Sequence, residues 1–352
     1  MEMVKNVLLG LVMICLCMVT GAGAEFRDVT REYRLQFPQD LYLKKDYRVQ
    51  WWYFTGHLFD EAGREFGYEL TFFIVGVQRR AYASAFGVND IYISHFAVSD
   101  VQEKKYYYED RADSGAFGFA GAEERALRVW VGKNILKGTM EEMDIKASGR
   151  DGSLDLVLRP EKPFVLHGER GYSRKSEESS LNASLYFSST RIKTEGTLKI
   201  GARSFAVTGY SWFDREISTE GLLSNKAGWD WFSLQLDDGR EVMLYLIRNR
   251  DGSLDRYSSG TVVLKDGASL HLKADDFRVS VKGRYRSEKT GAHYPSAWEI
   301  SVPSQGLDLR VTPLIVDQEF IGTGTTGNSY WEGTCRIEGT AAGRAYVEMT
   351  GY

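Results

Sequence analysis

Hydrophobic and polar residues alternate in short segments along most of the chain, as in β-strands whose two faces have different surroundings. Turn signals separate these segments, and Asp-Gly between two alternating runs is typical of a β-hairpin. Such turns occur at Asp151-Gly152, Asp238-Gly239, Asp251-Gly252 and Asp266-Gly267. Convincing helical periodicity is hard to find. The pattern therefore predicts an all-β protein of many hairpins whose sheets close into barrels, because closure removes exposed strand edges.

Several segments of this pattern occur twice and in the same order, which predicts duplication of one β-domain. Each copy opens with a tryptophan-rich strand and a Gly-Arg-Glu turn and closes on a Thr-Gly-Tyr strand. The first copy contains Trp51-Trp52-Tyr53-Phe54, Gly63-Arg64-Glu65, Tyr186, Glu195-Gly196-Thr197 and Thr208-Gly209-Tyr210. The matching segments of the second copy are Trp229-Asp230-Trp231-Phe232, Gly239-Arg240-Glu241, Tyr330, Glu338-Gly339-Thr340 and Thr350-Gly351-Tyr352.

Composition supports a folded protein of about two domains, since the 352 residues are 43% apolar and 26% charged. The aromatic share of 13%, mostly Tyr and Phe, favours strands over helices. The formal net charge is −4, and no block is rich in Lys or Arg. The chain therefore has no electrostatic footprint for nucleic acid.

The first residues have the pattern of a secretory signal peptide. Lys5 precedes an uncharged run from Val7 to Val19, and Ala22-Gly23-Ala24 provides the small residues of a cleavage site. The apolar run is shorter than the roughly 20 residues of a membrane-spanning helix. We expect cleavage after Ala24 and export to the periplasm or the medium. The predicted divisions are a signal peptide at 1–24, an N-terminal domain at 25–217 and a C-terminal domain at 218–352.

Sequence motifs of common catalytic sites are missing after residue 24. The chain has no Gly-x-Ser-x-Gly nucleophile elbow, no His-Glu-x-x-His zinc motif and no Cys-x-x-Cys pair. Its five histidines include none at metal-ligand spacing with another. We therefore predict no metal and no cofactor, and no motif supports a hydrolase.

Tryptophan- and acid-rich motifs spread over nearly all of the chain after residue 24 resemble those of the AttH/CrtC-like family. The motifs are Gln50-Trp51-Trp52-Tyr53, Ser94-His95-Phe96, Trp212-Phe213-Asp214-Arg215-Glu216, Trp229-Asp230-Trp231-Phe232 and Tyr330-Trp331-Glu332-Gly333. The resemblance implies two tandem lipocalin-like, calycin-like β-barrel domains. One branch of that family comprises carotenoid 1,2-hydratases, and many exported members are called predicted secreted hydrolases, so the resemblance fixes the fold better than the reaction.

Two groups of acids are candidates for catalysis. Asp230 replaces a tryptophan of the first copy at one end of an apolar row, and burial would raise its pKa into the range of a proton donor. An ion pair with an arginine such as Arg215 or Arg240 is the structural alternative. Asp214 and Glu216 share a strand face with Tyr210 and Trp212 at the crossing between the two halves, and domain interfaces are common ligand sites.

Aromatic residues near these acids are the candidate ligand-binding groups, and they are Trp212, Trp229, Trp231, Tyr210 and His95. Two carboxyl groups beside tryptophans can protonate an alkene, shelter the resulting cation against ring faces and direct water to it. The Asp214-Arg215-Glu216 segment has no histidine nearby, which departs from the hydratases of the family and puts a shared substrate in doubt.

Three functions remain open from the sequence. The first is an exported hydratase or isomerase acting on a hydrophobic, isoprenoid-like substrate such as a carotenoid or terpenoid, with Asp214, Glu216 and Asp230 as its acids. The second is a non-catalytic periplasmic carrier for such a ligand. The third is an attachment or envelope-assembly protein, which would have neither a deep pocket nor a co-purifying lipid.

Overall fold

The computed structural model describes residues 26–79, 87–176, 179, 182–219 and 226–352. The predicted signal peptide lies outside the described residues. Strands form the regular structure of the described chain, together with short 3₁₀ turns at Gln39–Leu41, Ala116–Gly118, Ala274–Asp276 and Pro303–Gln305. The all-β prediction is confirmed.

The first half of the chain forms an antiparallel sheet of 13 strands in the order β4-β3-β2-β1-β13-β12-β9-β8-β7-β6-β5, with β10 and β11 paired to β12. The sheet curls into a nearly closed barrel, across which Asn134 Nδ2 donates to Ser94 Oγ at 3.0 Å and Arg111 Nη2 donates to the Ser148 carbonyl at 3.0 Å. The strands are β1 (Val49–Asp60), β2 (Glu65–Gly76), β3 (Asp90–Asp100), β4 (Lys105–Asp113), β5 (Ala120–Ala122), β6 (Leu127–Val131), β7 (Asn134–Gly138), β8 (Met143–Ser148), β9 (Gly152–Pro160), β10 (Val165–Leu166), β11 (Tyr172–Arg174), β12 (Ala183–Ile200) and β13 (Arg203–Ser218).

The second half forms a more open, half-barrel sheet of 10 strands in the order β17-β16-β15-β14-β23-β22-β20-β19-β18, with β21 paired to β22. The strands are β14 (Lys226–Leu236), β15 (Glu241–Asn249), β16 (Ser259–Val263), β17 (Ser269–Lys273), β18 (Arg278–Arg286), β19 (His293–Val302), β20 (Leu307–Pro313), β21 (Glu319–Gly322), β22 (Asn328–Gly339) and β23 (Gly343–Thr350). The two sheets separate along the chain between Ser218 and Lys226.

Each sheet encloses its own cluster of buried apolar side chains. Trp52 and Phe54 of β1 belong to the first cluster, and Phe232 and Leu234 of β14 belong to the second. The alternate residues of the same strands point the other way, toward the opposite sheet. A third buried cluster therefore forms between the sheets, and it contains Tyr53, Tyr186, Trp212, Trp231, Met243, Tyr245, Ile247 and Tyr346, with Trp51 and Trp229 packed against it.

Strand pairing shows which residues of the two halves are equivalent. Tyr53 of β1 pairs with Asp214, and Trp231 of β14 pairs with Glu348. Leu58 pairs with Gly209, and its counterpart Leu236 pairs with Gly343. The prediction that Gly209 corresponds to Gly351 is therefore wrong, since the equivalent residue is Gly343. By the same register, the counterpart of Asp214 in the second half is Glu348.

Candidate active site at the interface of the two sheets

A row of polar side chains crosses the first sheet on the face that meets the second sheet. Ser188 pairs with Asp214, Asp214 with Tyr53, Tyr53 with Thr71, and Thr71 with His95 on five neighbouring strands. Directly paired residues lie about 4.5–5.5 Å apart at their Cα atoms and point to the same face. We call these five residues the first polar row.

The second sheet has the equivalent row, in which Glu332 pairs with Glu348, Glu348 with Trp231, Trp231 with Tyr245, and Tyr245 with Ser259. We call these residues the second polar row. One hydrogen bond joins the two rows across the interface, since the Tyr53 hydroxyl donates to Glu332. A second joins the second row to another residue of the first sheet, since Trp231 Nε1 donates to Tyr186 OH at 3.0 Å. The interface is thus a buried, partly polar layer between two apolar cores.

Asp214, the carboxyl group of the first polar row, accepts three hydrogen bonds. Trp212 Nε1 donates to its Oδ1 at 2.6 Å, Tyr186 OH donates to its Oδ2 at 2.7 Å, and the Ser188 hydroxyl donates to Oδ1. All three donors are uncharged, so they do not offset the loss of hydration. Burial therefore raises the pKa of Asp214 to about 7 in spite of these hydrogen bonds.

His167 continues the hydrogen bonding of Asp214 beyond Ser188. Its Nε2 lies 2.7 Å from Ser188 Oγ, and its Nδ1 lies 2.8 Å from Thr261 Oγ1. Burial lowers the pKa of His167 to about 3, so the imidazole is neutral. Because the single Ser188 proton is donated to Asp214, His167 carries its hydrogen on Nε2 and accepts from Thr261 at Nδ1. His167 is not among the residues that the sequence motifs indicated.

Aromatic rings enclose Asp214 on the side of the second sheet. Trp212 and Trp231 meet edge to face, with ring centroids 6.1 Å apart and planes at 82°. Tyr53 and Trp231 meet in the same way, at 5.2 Å and 89°. Faces of electron-rich rings next to a proton donor are suited to holding a transient cation.

An ion pair lies where this enclosure approaches solvent. Lys175 Nζ is 3.0 Å from Glu216 Oε1, and the two side chains are 19% and 8% exposed. The same ammonium group lies 5.0 Å from the ring centroid of Tyr186 and 4.3 Å from that of Tyr245. Glu216 is therefore held by a cation, whereas Asp214 is held by neutral donors.

Three further carboxyl groups lie in the interface without a hydrogen bond from any described basic side chain, and Glu69 and Glu332 are buried whereas Glu348 is partly buried. Thr71 Oγ1 donates to Glu69, the Tyr53 hydroxyl donates to Glu332, and Trp229 Nε1 donates to Glu348 at 3.2 Å. Burial raises the pKa of Glu69 to about 8 and that of Glu348 to about 7, and it raises the pKa of Glu332 well above its ordinary value. The charges of Glu69 and Glu348 raise the pKa of Glu332 further. We call Glu69, Glu332 and Glu348 the carboxyl triad.

The structure brings most of the sequence-derived candidates together. Asp214, Glu216, Trp212, Trp229 and Trp231 all lie in the interface between the sheets. Strand alternation was enough to place the first three on one face, and the tryptophan repeat placed the other two on the facing strand.

Asp230 lies apart from this group, on the opposite face of β14. Arg248 Nε donates to its Oδ1 at 3.1 Å, and Tyr352 OH lies 2.9 Å from its Oδ2. Burial raises the pKa of Asp230 to about 6, while Arg248 and Tyr352 act to lower it. The structural alternative of an arginine ion pair is therefore what is observed, with Arg248 rather than Arg215 or Arg240.

The other two candidates lie at the margins of the interface. Tyr210 is 40% exposed, and the guanidinium of Arg191 lies 5.3 Å from its ring centroid. His95 is fully buried at the end of the first polar row, where Nδ1 is 2.7 Å from Tyr330 OH and Nε2 is 2.9 Å from Thr325 Oγ1. Neither residue contacts Asp214.

The carboxyl triad and the Tyr186–Ser188–His167 group were missed from the sequence. Their acids and hydroxyls occupy alternate strand positions that usually face solvent, and only contact with the second sheet buries them. The correct register offered one signal, because aligning Gly209 with Gly343 places Glu348 at the position of Asp214.

Away from the interface acids, the described part of the chain has concavities on its surface but no cluster of metal ligands. No three His, Cys, Asp or Glu side chains within residues 26–79, 87–176, 182–219 and 226–352 are arranged to hold a metal ion. Two concavities open on the outer surfaces, one beside Asp110 and Arg150 and one beside Lys282 and Glu299, and neither is lined by the interface acids. No helix in the described ranges is long and apolar enough to span a membrane.

The fold and the interface define a class of two-sheet, lipocalin-like β-proteins with buried acids between the sheets. The sequence profile of the AttH-like family matches residues 28–352. The chain therefore belongs to the AttH-like family, as its motifs indicated.

Known proteins similar to this chain include a curated relative and two solved structures. Dehydratase asqC of Emericella nidulans is 23% identical over 255 residues, which are 69% of each chain. An AttH protein of Nitrosomonas europaea is 31% identical with a TM-score of 0.85, covering 93% of this chain and all of its own. Kievitone hydratase of Nectria haematococca is 15% identical with a TM-score of 0.68, covering 94% of this chain and 96% of its own, a likeness of fold.

Proposed function

We propose that this protein is a hydro-lyase, a hydratase or dehydratase, that adds water to or removes water from a carbon–carbon double bond with Asp214 as its acid. The observation that carries the proposal is the setting of Asp214. It is a fully buried carboxyl group with a pKa raised to about 7 by burial, and it lies against the rings of Trp212, Tyr186 and Trp231. A proton donor works best when its pKa is close to the working pH.

The reaction can be written with the groups at hand. Protonated Asp214 transfers its proton to one alkene carbon, the π-electron pair forms the new C–H bond, and the other carbon becomes cationic. The aromatic faces stabilise that cation. The oxygen of a water molecule then forms a C–O bond, and a proton from that water returns to Asp214. Dehydration is the same sequence in reverse.

The Ser188–His167 pair holds the reacting carboxyl in place. Ser188 donates to Asp214 and receives the Nε2 hydrogen of His167, so the hydroxyl group that orients the carboxyl is itself held in place. Glu216 and Lys175 lie on the solvent side of Tyr186 and are the groups past which a substrate would enter.

The substrate we propose is hydrophobic and isoprenoid-like, a carotenoid or terpenoid. The aromatic enclosure supports an apolar substrate, and the family resemblance supports a polyene. The names of the dehydratase and hydratase relatives support water addition or removal in general. We also propose export, on the basis of the Lys5 to Ala24 pattern.

The test compares Asp214→Asn with Asp230→Asn in the purified protein. An acyclic carotene and an acyclic terpenoid alkene, dispersed in detergent, are incubated in water labelled with heavy oxygen, and mass spectrometry detects a product that has gained one water. We expect Asp214→Asn to lose about 10²-fold or more of the turnover, the usual contribution of a general acid. Asp230→Asn, whose carboxyl is bonded to Arg248, should retain it.

Ligand binding is measured in parallel by quenching of tryptophan fluorescence. Binding by both variants, with turnover lost only in Asp214→Asn, supports the enzyme. Turnover by Asp214→Asn equal to that of the unmodified protein would contradict the assigned acid. Binding of an apolar ligand that co-purifies with the native protein, with no product from any variant, would identify a carrier instead.

A further inference from the structure

The carboxyl triad has polar neighbours that lack hydrogen-bond partners. Among the described residues, the buried atoms Glu69 Oε2, Tyr106 OH and Tyr346 OH have none. Tyr346 is fully buried, which raises the pKa of its hydroxyl, and the charges of Glu332 and Glu69 raise that pKa further. Burial raises the pKa of the Tyr106 hydroxyl well above its ordinary value, and Tyr346, Glu332 and Glu69 raise it further. Geometry brings the same groups together: Thr71, which donates to Glu69, pairs with Tyr53, which donates to Glu332. Glu332 pairs with Glu348, and Tyr346 shares the strand face of Glu348, so these groups border one polar region.

Water is the ligand that fits this region. A buried carboxyl oxygen needs a donor, whereas a phenol can donate and accept, and a water molecule satisfies two to four such groups at once. Carboxyl groups with raised pKa values also retain protons near neutral pH. The groups that border the region are therefore of the kinds that bind water and exchange protons.

A chain of hydrogen bonds leads from this region to the surface. Tyr330 OH is 2.7 Å from His95 Nδ1, His95 Nε2 is 2.9 Å from Thr325 Oγ1, and Thr325 Oγ1 donates to Asp110 Oδ2 at 2.8 Å. Asp110 lines one of the surface concavities. At the inner end, Tyr330 and Glu332 lie two residues apart on β22 and therefore share a face, and Tyr106 packs against the apolar cluster that contains Tyr330.

The proton positions along the chain follow from its geometry. Thr325 has one hydroxyl proton and donates it to Asp110, so His95 must donate to Thr325 from Nε2. Burial lowers the pKa of His95 to about 3, which keeps the ring neutral, and Nδ1 therefore accepts from Tyr330. Aromatic rings pack on the imidazole: Phe320 stacks on it at 4.5 Å, and Phe73 meets it at 5.3 Å with the planes at 68°.

We propose that the carboxyl triad is a buried water and proton site, and that Tyr330, His95, Thr325 and Asp110 form the route by which it exchanges protons with solvent. In the observed orientation each group passes its own proton outward. Tyr330 takes a proton from a triad carboxyl through a bound water and gives its hydroxyl proton to His95 Nδ1. His95 gives the Nε2 proton to Thr325, and Thr325 gives its own to Asp110.

The net change is one proton moved from a carboxyl group to Asp110, with no electron transferred. Rotation of the two hydroxyl groups and exchange of the imidazole tautomer reset the chain. The proton route does not depend on the proposed reaction. If the protein is a hydratase, the site would supply water to the side of the interface opposite Asp214.

Hydrogen–deuterium exchange of the triad tests the route without an activity assay. The infrared carbonyl band of protonated carboxyl groups is followed after transfer of the folded protein into heavy water. We expect Glu332→Gln to reduce the band. His95→Gln and Thr325→Val interrupt the chain at two separate points, and each should slow the shift of the band by about tenfold or more, because exchange then requires local opening.

The matched control is His57→Gln. His57 is buried in the same interface with a pKa lowered to about 3 by burial, its Nδ1 is 2.9 Å from Thr334 Oγ1, and its counterpart in the second half is already Gln235. His57 is not part of the hydrogen-bonded route from Tyr330 to Asp110, so the rate of hydrogen–deuterium exchange in His57→Gln should match that of the unmodified protein. Equal exchange rates in all variants, slowing by His57→Gln alone, or absence of the protonated band would overturn the proposal.

Discussion

At the scale of single residues, Asp214 and Asp230 show how the partner of a buried acid determines its use. Asp230 is bonded to the guanidinium of Arg248, which offsets its charge. Asp214 receives hydrogen bonds only from neutral groups, so its charged form has no buried counter-ion hydrogen-bonded to it. Burial therefore raises the pKa of a carboxyl group such as Asp214 toward neutral pH, where it can both give up and take a proton.

The raised pKa values of the interface acids predict a fall in stability as pH rises. The pKa is raised to about 7 for Asp214 and Glu348 and to about 8 for Glu69, above the ordinary values near 4 in the unfolded chain. Between those values the folded state binds more protons than the unfolded state. The stabilisation is therefore complete below about pH 4 and is lost as pH rises through about 7 to 8.

Urea denaturation from about pH 7 to about pH 9 measures this effect, because at lower pH the buried neutral His57, His95 and His167, which gain protons on unfolding, change stability in the opposite direction. We expect the midpoint to fall with pH, and to fall less steeply in Asp214→Asn and Glu348→Gln. Asp155→Asn changes an acid whose side chain is 57% exposed and serves as the control. A midpoint that rises over this range would contradict the assigned protonation.

At the scale of elements, strand register decides which residues meet. The equivalent pairs Leu58–Gly209 and Leu236–Gly343 place a glycine where two strands of each half come closest. A Cβ atom on Gly209 would lie 1.9 Å from the carbonyl oxygen of His57, and one on Gly343 would lie 2.3 Å from that of Gln235. Neither strand can shift by one residue without exchanging the faces of its side chains.

Substitution of these glycines should destabilise both halves for the same reason. We expect Gly209→Ala and Gly343→Ala each to reduce the free energy of unfolding by about 1–3 kcal/mol, because the added methyl group forces the backbone apart. In Gly324→Ala the new Cβ would lie 3.4 Å from Asp110 Oδ2, its nearest neighbour. The free energy of unfolding of this variant should therefore stay within about 0.5 kcal/mol of that of the unmodified protein. Equal effects in all three variants, measured by urea denaturation, would count against the assigned equivalence.

At the scale of the whole molecule, ion pairs join the two sheets at the edges of the interface. Glu241 of the second sheet receives Lys162 Nζ at 2.7 Å and Arg191 Nε at 2.5 Å from the first half. Arg344 of the second sheet binds both oxygens of Glu65 of the first, at 2.5 and 3.1 Å. Buried pairs of this kind fix how two surfaces fit together.

The Glu241 cluster predicts a large loss of stability when its acid is neutralised. Glu241 is fully buried and the Lys162 side chain is 7% exposed, so Glu241→Gln would leave two basic groups without their counter-ion. We expect a loss of about 3–5 kcal/mol in the free energy of unfolding. Asp155→Asn breaks the exposed ion pair with Lys146 and should change the free energy of unfolding by less than about 1 kcal/mol. Comparable effects in the two variants would show that the cluster does not join the sheets.

The sequence by itself determined the strand class, the family resemblance and the positions of Trp51 and Trp229, because alternation and turn residues are local properties of a chain. It also placed Asp214, Glu216 and Trp212 on one face, since residues two apart on a strand share a face. These inferences needed no knowledge of which strands pair.

The tertiary structure decided the rest of the candidate site. Glu69 and Glu332 become buried acids, and Glu348 a partly buried one, only because two sheets lie against each other, and Asp230 becomes an ion pair only because Arg248 is on the next strand. The Gly209–Gly343 equivalence depends on register, which short repeated motifs do not specify. Burial and long-range pairing set the pKa values, and neither is a property of neighbouring residues in the sequence.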